Sequence, residues 1–175
     1  LMAIGHTVAG YMLRQMELDA DRYEARLAGS DAFEATARRL PVLGVAYQGA
    51  QADLAQFFRD GRLGDNLPRL VMVNEAKLPD EVRKKINEVI DQSRTGPLDT
   101  HPCDRQRIEN ARRENAAGVF HLTYPAAVLF QKFGSLCKEV TGDLYRAVLG
   151  KAFNVAQIHA LDELLARQGK DLAAD

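Results

Sequence analysis

Two carboxylates one helical turn apart are the residues best suited to chemistry in this sequence. Glu17 and Asp21 bound the run Glu17-Leu18-Asp19-Ala20-Asp21, in a segment whose apolar residues recur every three or four positions. Residues four apart project from the same side of a helix. A zinc ion bound by Glu17, with Asp21 orienting a histidine ligand, would satisfy both acids. The alternative is a solvated helix edge, where three arginines would neutralise the acids: Arg14, Arg22 and Arg26.

A histidine in a proline-rich loop is the second candidate. His101 precedes Pro102 in the loop from Gly96 to Pro102, and Arg107 follows six residues later on the next predicted helix. Prolines restrict the backbone, so such a histidine can be held at a cleft. The alternative is an exposed loop residue without a function.

The remaining histidines and motifs give weaker evidence of a functional site. His6 has neither a following Glu nor a second His four residues away, so it cannot form the two-histidine zinc motif. His121 and His159 stand among apolar residues and are expected to be core or surface residues. The sequence contains no GxSxG elbow, no GxxxxGK[ST] phosphate loop and no dinucleotide fingerprint. Its two cysteines form no paired motif, which argues against a cysteine zinc site.

Composition bounds the class of protein. The 175 residues, 46% of them hydrophobic, are enough for one domain with a core. Twenty-three basic residues against 24 acidic ones give a net charge of -1, which excludes nucleic-acid binding through a broad positive surface. The basic clusters at Arg83-Lys84-Lys85 and from Arg105 to Arg113 are therefore predicted to be solvated helix faces. No apolar run approaches the ~20 residues that cross a bilayer, so the chain alone is expected to be soluble.

Periodicity and breakers predict an all-α architecture. The first helix should extend from Met2 to about Ala28, where Gly29 ends it, and Asp31 with Glu34 forms a capping box for the second. Pro41 should break or kink that helix. The later helices are predicted over these ranges: Leu43 to Phe58, Leu67 to Val73, Pro79 to Gln92, Asp104 to Ala116, a short one opened by Pro125, Leu136 to Leu149 and Val155 to Arg167, with a frayed tail from Gln168 to Asp175.

Two ordered motifs carry a resemblance to a known family. The run Glu17 to Tyr23, followed by Ala28-Gly29-Ser30, resembles the ExxAD helix of the membrane zinc metallopeptidases typified by the heat-shock protease HtpX and the CAAX prenyl endopeptidase. Downstream, Asp99-Thr100-His101-Pro102 and then Arg107-Ile108 look like the family's His-Pro loop and its following arginine. Recognisable similarity extends to about Arg113, and the rest matches only loosely.

The resemblance implies roles for four residues. Glu17 would be the third zinc ligand, and Asp21 would support a ligating histidine. His101 would lie over the metal or stabilise the transition state, and Arg107 would anchor the loop or bind a carbonyl. The family's HExxH helix, which carries two ligands and the general base, is absent from this sequence. The other zinc ligands are therefore expected outside the chain, and the 175 residues alone are expected to be proteolytically inert.

By the same resemblance, residues 1–116 would be the C-terminal part of a zincin-type (gluzincin) peptidase domain and residues 117–175 a helical C-terminal extension. The parent protein would cleave peptide bonds in membrane-associated proteins. It would lie at the membrane with this domain in the cytoplasm, and the apolar segment from Leu1 to Leu13 fits the end of a spanning helix. Expected partners are the substrate and the remainder of the peptidase chain. The alternative function is a non-catalytic helical interaction module or pseudoprotease remnant, in which C-terminal apolar residues grip a partner: Phe130, Phe133, Leu136, Leu144, Tyr145 and Phe153.

Overall fold

The protein is almost entirely helical in the part described by the structure, a computed structural model that covers residues 2–122 and 124–171. Short 3-10 turns at Ala126–Leu129, Gly150–Ala152 and Val155–Gln157 connect the later elements. The regular elements are α1 (Met2–Ala28), α2 (Ser30–Arg59), β1 (Leu63–Gly64), α3 (Leu67–Lys77), α4 (Asp80–Gln92), α5 (Asp104–Glu114), α6 (Phe133–Leu149), β2 (Ile158–His159) and α7 (Leu161–Asp171). The predicted all-α class is confirmed at this level.

Several boundaries differ from the prediction. Helix α2 continues through Pro41, because a proline removes only one main-chain hydrogen bond and the buried Val42 and Ala46 hold the next turn in place. The predicted helix from Val155 to Arg167 is instead a 3-10 turn, a two-residue strand and α7. Gln168 lies inside α7 and donates to Asp53 at 2.8 Å, so it is not frayed. Leu1 and residues 172–175 lie outside the described part.

The chain forms two compact units. The first unit comprises residues 2–42 and 79–122, and the second unit comprises residues 43–78 and 124–171. Helix α2 contributes its beginning to the first unit and its end to the second. This division crosses the sequence in different places from the expected boundary at residue 116, because each unit is assembled from two separate segments.

The first unit has a small core at the crossing of α1, α2 and α5. Ala25 and Ala111 are fully buried there together with Phe33. Small side chains let the helix backbones approach closely, and the Asn110 amide donates to the Leu18 carbonyl oxygen at 2.8 Å. The face of α1 that carries Asp21 is therefore fixed against α5.

Ser30, at the corner between α1 and α2, binds the end of α5 and the segment that follows it. Its buried hydroxyl donates to the Ala111 carbonyl at 2.7 Å and accepts from the Ala116 N–H at 3.0 Å. Gly118, with a φ of 86°, passes so close that a Cβ there would lie 2.7 Å from the Ala28 carbonyl carbon. Only glycine fits this position.

The second unit is built around apolar side chains. Leu70 and Leu161 are almost fully buried among residues of α2, α3 and α7. Strands β1 and β2 pair in parallel, Leu63 with Ile158 and Gly64 with His159. Two buried hydroxyls satisfy backbone groups: the Leu67 N–H donates to Thr141 at 2.9 Å, and Tyr145 donates to the Gly64 carbonyl at 2.8 Å.

Among the described residues, no helix is both long and apolar enough to cross a membrane. The segment expected to end a spanning helix forms the start of α1. Four of its large apolar side chains are exposed, at 45 to 60%: Val8, Tyr11, Met12 and Leu13.

Candidate functional site

Asp21 lies in the packed face between α1 and α5, where it forms a two-point ion pair with Arg107. The Arg107 Nε and Nη2 atoms donate to the two carboxylate oxygens at 2.9 and 2.7 Å. The Asp21 side chain is only 4% exposed, against 36% for Arg107. The guanidinium also lies 5.9 Å from the centre of the Phe33 ring. Paired, planar hydrogen bonding of this kind is the strongest geometry available to an arginine and a carboxylate.

This pair sets the charge state of Arg107. The hydrogen bonds that Arg107 donates to Asp21 raise the pKa of Arg107, against the opposing effect of burial, and the charge of Asp21 adds to the rise. Glu17 and Asp104 contribute smaller increases. The guanidinium therefore stays a permanent cation beside α1.

Glu17 contacts His101 one helical turn before the Asp21 pair. The His101 Nδ1 atom is hydrogen-bonded to the Glu17 Oε1 atom, although the two residues are 84 positions apart. An ionised carboxylate can only accept, so the imidazole proton in this contact is on Nδ1. The Glu17 side chain is 34% exposed and that of His101 is 75% exposed. Both groups are accessible to a ligand, unlike Asp21.

Local hydrogen bonds hold the loop that carries His101. The Asp99 carboxylate accepts from the Gly96 N–H at 2.6 Å, and the Asp99 carbonyl oxygen accepts from the Arg14 side chain. Thr95 accepts from the Cys103 N–H at 2.8 Å at the start of α5. Arg14 thus ties the loop to α1, the helix that presents Glu17.

The structure brings together the four residues predicted from the two motifs. Glu17 is placed against His101 and Asp21 against Arg107, all within the first unit. The proximity of His101 to the Glu17 carboxylate, which the peptidase interpretation requires, is present. Both oxygens of Asp21 are bonded to Arg107, a pairing that the sequence patterns did not predict.

The donor set for a metal is incomplete within the described residues. No three groups among their His, Cys, Asp and Glu side chains are close enough to hold a metal ion together. Glu17 and His101 supply one carboxylate and one imidazole, both of which are zinc ligand types. Four-coordinate zinc needs further ligands, so these residues fit zinc only in combination with groups from elsewhere.

An exposed apolar face of α1 begins beside Glu17. At 100° per residue, Glu17 lies between the packed positions of Asp21 and Ala25 and an outward arc of apolar side chains. These side chains are 51 to 71% exposed: Met12, Met16, Tyr23 and Leu27. These residues belong to the apolar positions that recur along the first predicted helix, and in the structure the other side of α1 packs against α5. The accessible carboxylate is therefore at the edge of an uncovered apolar surface.

Three arginines line a cleft in the first unit, and two of them, Arg105 and Arg113, belong to the cluster that the sequence predicted to be a solvated helix face. Arg105 and Arg113 are on α5, and Arg94 follows α4. Positions 105, 109 and 113 recur every four residues along one face of α5, and this spacing could have indicated a shared surface. The other two basic residues of the cluster are paired with acids instead, Arg107 with Asp21 at 2.7 Å and Arg112 with Glu34 at 2.5 Å.

Cys103 also lines this cleft, at the start of α5. Burial alone would raise the pKa of its thiol. Hydrogen bonds with Thr95, the Gln106 backbone and Ser93, together with the charge of Arg105, outweigh that effect and lower the pKa. The cleft therefore favours negative charge at this position.

Comparisons with known proteins found no matching family model, no matching curated protein and no matching solved structure. The resemblance to the zinc peptidases consequently depends on the two motifs and on their geometry.

Proposed function

We propose that this chain carries the third-ligand helix and the His-Pro loop of a zinc-dependent endopeptidase related to the HtpX and CAAX prenyl endopeptidase family. The observation that supports the proposal is the contact between Glu17 and His101, residues from two separate motifs. If the two motifs were chance matches, the exposed loop residue His101 would have no reason to lie against the Glu17 carboxylate.

Glu17 and Asp21 differ in their exposure to solvent, and we assign them different roles on that basis. Glu17 is accessible and has no guanidinium partner among the described residues, so it is free to exchange His101 for a cation. Asp21 is buried and bound to Arg107, so it supports the site by fixing α5, the helix that begins where the His101 loop ends. The resemblance implies that Asp21 also supports a ligating histidine. Asp21 could accept a hydrogen bond from that histidine while it stays paired with Arg107, because a carboxylate has lone pairs beyond the two used here.

The remainder of the peptidase chain would complete the site over the exposed face of α1. A helix carrying HExxH could bury Met12, Met16 and Leu27, which are otherwise in contact with water, and bring two histidines beside Glu17. Burying three such side chains would contribute several kcal/mol, at about 1.5 to 3 kcal/mol for each fully buried one.

When bound, zinc would polarise the scissile carbonyl and lower the pKa of its water. Glu17 would supply one anionic ligand. His101, which is 75% exposed and tethered by its loop, would donate a hydrogen bond to the developing oxyanion. Arg107 would fix the position of the loop relative to α1 through its ion pair with Asp21. The expected substrates are membrane-associated proteins, as in the family, and the expected site of action is the membrane surface facing the cytoplasm.

The first test is the intact open reading frame, which must encode HExxH upstream of α1. In that full-length protein, Glu17→Gln should abolish zinc-dependent cleavage of a casein or peptide substrate and lower the bound zinc. Its melting temperature should change little, because the Glu17 side chain is partly exposed. The matched control is Glu24→Gln, an exposed acid on the same helix, which should keep both zinc and activity. Full cleavage by the Glu17 variant would refute the ligand assignment.

The isolated chain provides a second test. With two ligand groups at most, it should show no stoichiometric sub-micromolar zinc binding by titration calorimetry. His101→Asn in the full-length protein should retain zinc and lower kcat by about 10²-fold, the effect of losing one oxyanion donor. Tight zinc binding by the 175 residues alone would contradict the need for outside ligands.

The interaction-module alternative is supported by a different observation. Phe130 and Phe133 in the second unit are 50% and 42% exposed, with ring centres 5.8 Å apart. Leu136 of the predicted partner-binding set is also exposed, at 37%, whereas Tyr145 is buried and Leu144 packs against the core. Two results together would favour this alternative: an intact reading frame without HExxH, and a partner protein that binds the unchanged chain but not the Phe130→Ser/Phe133→Ser variant.

A further inference from the structure

The cleft between the end of α4 and one face of α5 is lined almost entirely by polar groups. Leu18 contributes the only large apolar side chain, and the cavity has a volume of about 460 Å³. Small-molecule sites commonly enclose about 300 to 1,000 Å³. The residues that line it are Leu18, Arg94, Thr95, Cys103, Arg105, Gln106, Glu109, Asn110 and Arg113.

Positive charge dominates this lining. Three guanidinium groups are accompanied by one carboxylate, that of Glu109. Arg105 lies 3.8 Å from the Glu109 carboxylate, which is too long for a hydrogen bond. Within the described part of the chain, Arg94 and Arg113 form no ion pair with any carboxylate.

Elsewhere the first unit pairs its arginines closely. Arginine side chains contact carboxylate oxygens at 2.5 to 2.8 Å at five other positions: Arg22, Arg26, Arg38, Arg107 and Arg112. Arginines that share one cleft repel each other, and Glu109 is the one carboxylate among the residues that line it. An anion in the cleft would relieve the repulsion.

The geometry of the donors favours a phosphate over a carboxylate. Arg94 comes from the segment after α4, whereas Arg105 and Arg113 come from α5, separated by two helical turns. A tetrahedral phosphate presents oxygens in several directions, so guanidinium groups on separate elements can each bind it, and arginine suits such recognition. The volume exceeds that of a single phosphate. The absence of aromatic residues from the lining argues against a site that stacks a nucleobase.

We propose that this cleft is a binding site for a small phosphate-bearing anion of the diphosphate class, held by Arg94, Arg105 and Arg113. The site is separate from Glu17 and His101, neither of which lines the cleft. The proposal is therefore independent of zinc and of proteolysis, and it can succeed or fail on its own.

The test is titration calorimetry of the whole 175-residue chain with inorganic pyrophosphate in a low-salt buffer without divalent metals. The chain should bind one pyrophosphate saturably, and Arg94→Gln/Arg113→Gln should weaken the affinity at least about tenfold. Lys84→Gln/Lys85→Gln removes the same charge from exposed positions on α4 outside the cleft and should change the affinity less than about twofold.

Folding of the variants is checked by circular dichroism. Arg94 and Arg113 are exposed, so the double variant should melt no lower than the unchanged protein in the absence of ligand. An equal loss of affinity in the lysine control would show attraction by net charge alone and would overturn the site. Absence of saturable binding, or tighter binding of citrate than of pyrophosphate, would overturn the proposal as well.

Discussion

The two units are stabilised by different interactions. In the first, charged pairs join helices that are distant in sequence: Asp21 with Arg107, Glu34 with Arg112, and Glu114 with Arg22 and Arg26. In the second, apolar side chains around Leu70 form the core, and neutral hydroxyls bond to the backbone. The difference shows that the unit with the candidate site relies on charges, which respond to pH, salt and bound ions. The other unit relies more on apolar burial, although it also holds two close ion pairs, Lys138 with Asp65 and Arg69 with Asp162, each at 2.6 Å.

The largest expected effect is in the apolar unit. Leu70→Ala removes a side chain with no exposure and should lower the free energy of unfolding by about 3 kcal/mol. Met72→Ala, on the same helix but 47% exposed, should cost less than about 1 kcal/mol. Amide hydrogen exchange should increase most in α3 and α6. Equal loss of protection in α1 and α5 would show that the two units unfold together.

Breaking the buried ion pair should have the next largest effect, now in the charged unit. Asp21→Ala leaves Arg107 partly buried without a partner, and we expect a loss of about 3 kcal/mol, the low end for such a change because Arg107 can reach water. Asp19→Ala on the same helix removes a 63%-exposed acid and should cost at most about 0.5 kcal/mol. Urea titrations of the two variants measure the difference. A similar small loss in both would mean that the pair contributes little.

Alkaline pH should weaken the second unit. Burial, with a smaller contribution from Asp65, raises the pKa of Tyr145 from 10.0 to about 12. Below pH 10 the phenol is neutral in both states. Between pH 10 and 12 the unfolded chain loses that proton before the folded one, so stability falls by about 2 kcal/mol over this window. The difference in unfolding free energy between the unchanged protein and Tyr145→Phe, measured from pH 8 to 12, should shrink accordingly, and a constant difference would contradict the prediction.

Acid should weaken the first unit by a smaller amount. Hydrogen bonds from Arg112 lower the pKa of Glu34, those from Arg38 add to this, and burial opposes it. The carboxylate therefore contributes stability above its ordinary pKa of 4.5, and this contribution is lost as the pH falls through the lower folded value. Glu34→Gln should cost about 1 kcal/mol at pH 7 and flatten the acid side of the stability curve. Glu88→Gln, exposed on α4, is the control that should leave the curve unchanged.

Local chemistry predicted those parts of the fold that depend on neighbouring residues. Gly29, with a φ of 102°, ends α1 as expected, and Pro79 precedes α4. The prediction was incomplete for those elements whose structure depends on contacts between residues far apart in the sequence. Pro41 stays within α2 because packing outweighs one lost hydrogen bond, and β2 exists only because β1, about 95 residues earlier, pairs with it.

The candidate site shows the same limit. Residue types and spacing selected Glu17, Asp21, His101 and Arg107, which do lie together in the first unit. Spacing could not predict whether Glu17 or Asp21 would pair with Arg107. The buried acid forms this ion pair, and which acid is buried depends on how α1 is rotated against α5. The same rotation left the apolar stripe of α1 facing outward.

The corner at Ser30 has a consequence for the newborn chain. Its hydroxyl oxygen accepts a hydrogen bond from the N–H of Ala116, a residue 86 positions later. A ribosome that adds about 5 to 20 residues per second needs about 4 to 17 seconds to reach that residue. During this interval the first two helices lack the segment that closes their corner and the α5 side chains that cover Ala25 and Phe33. The two helices therefore expose this apolar surface until the segment through Gly118 has been synthesised.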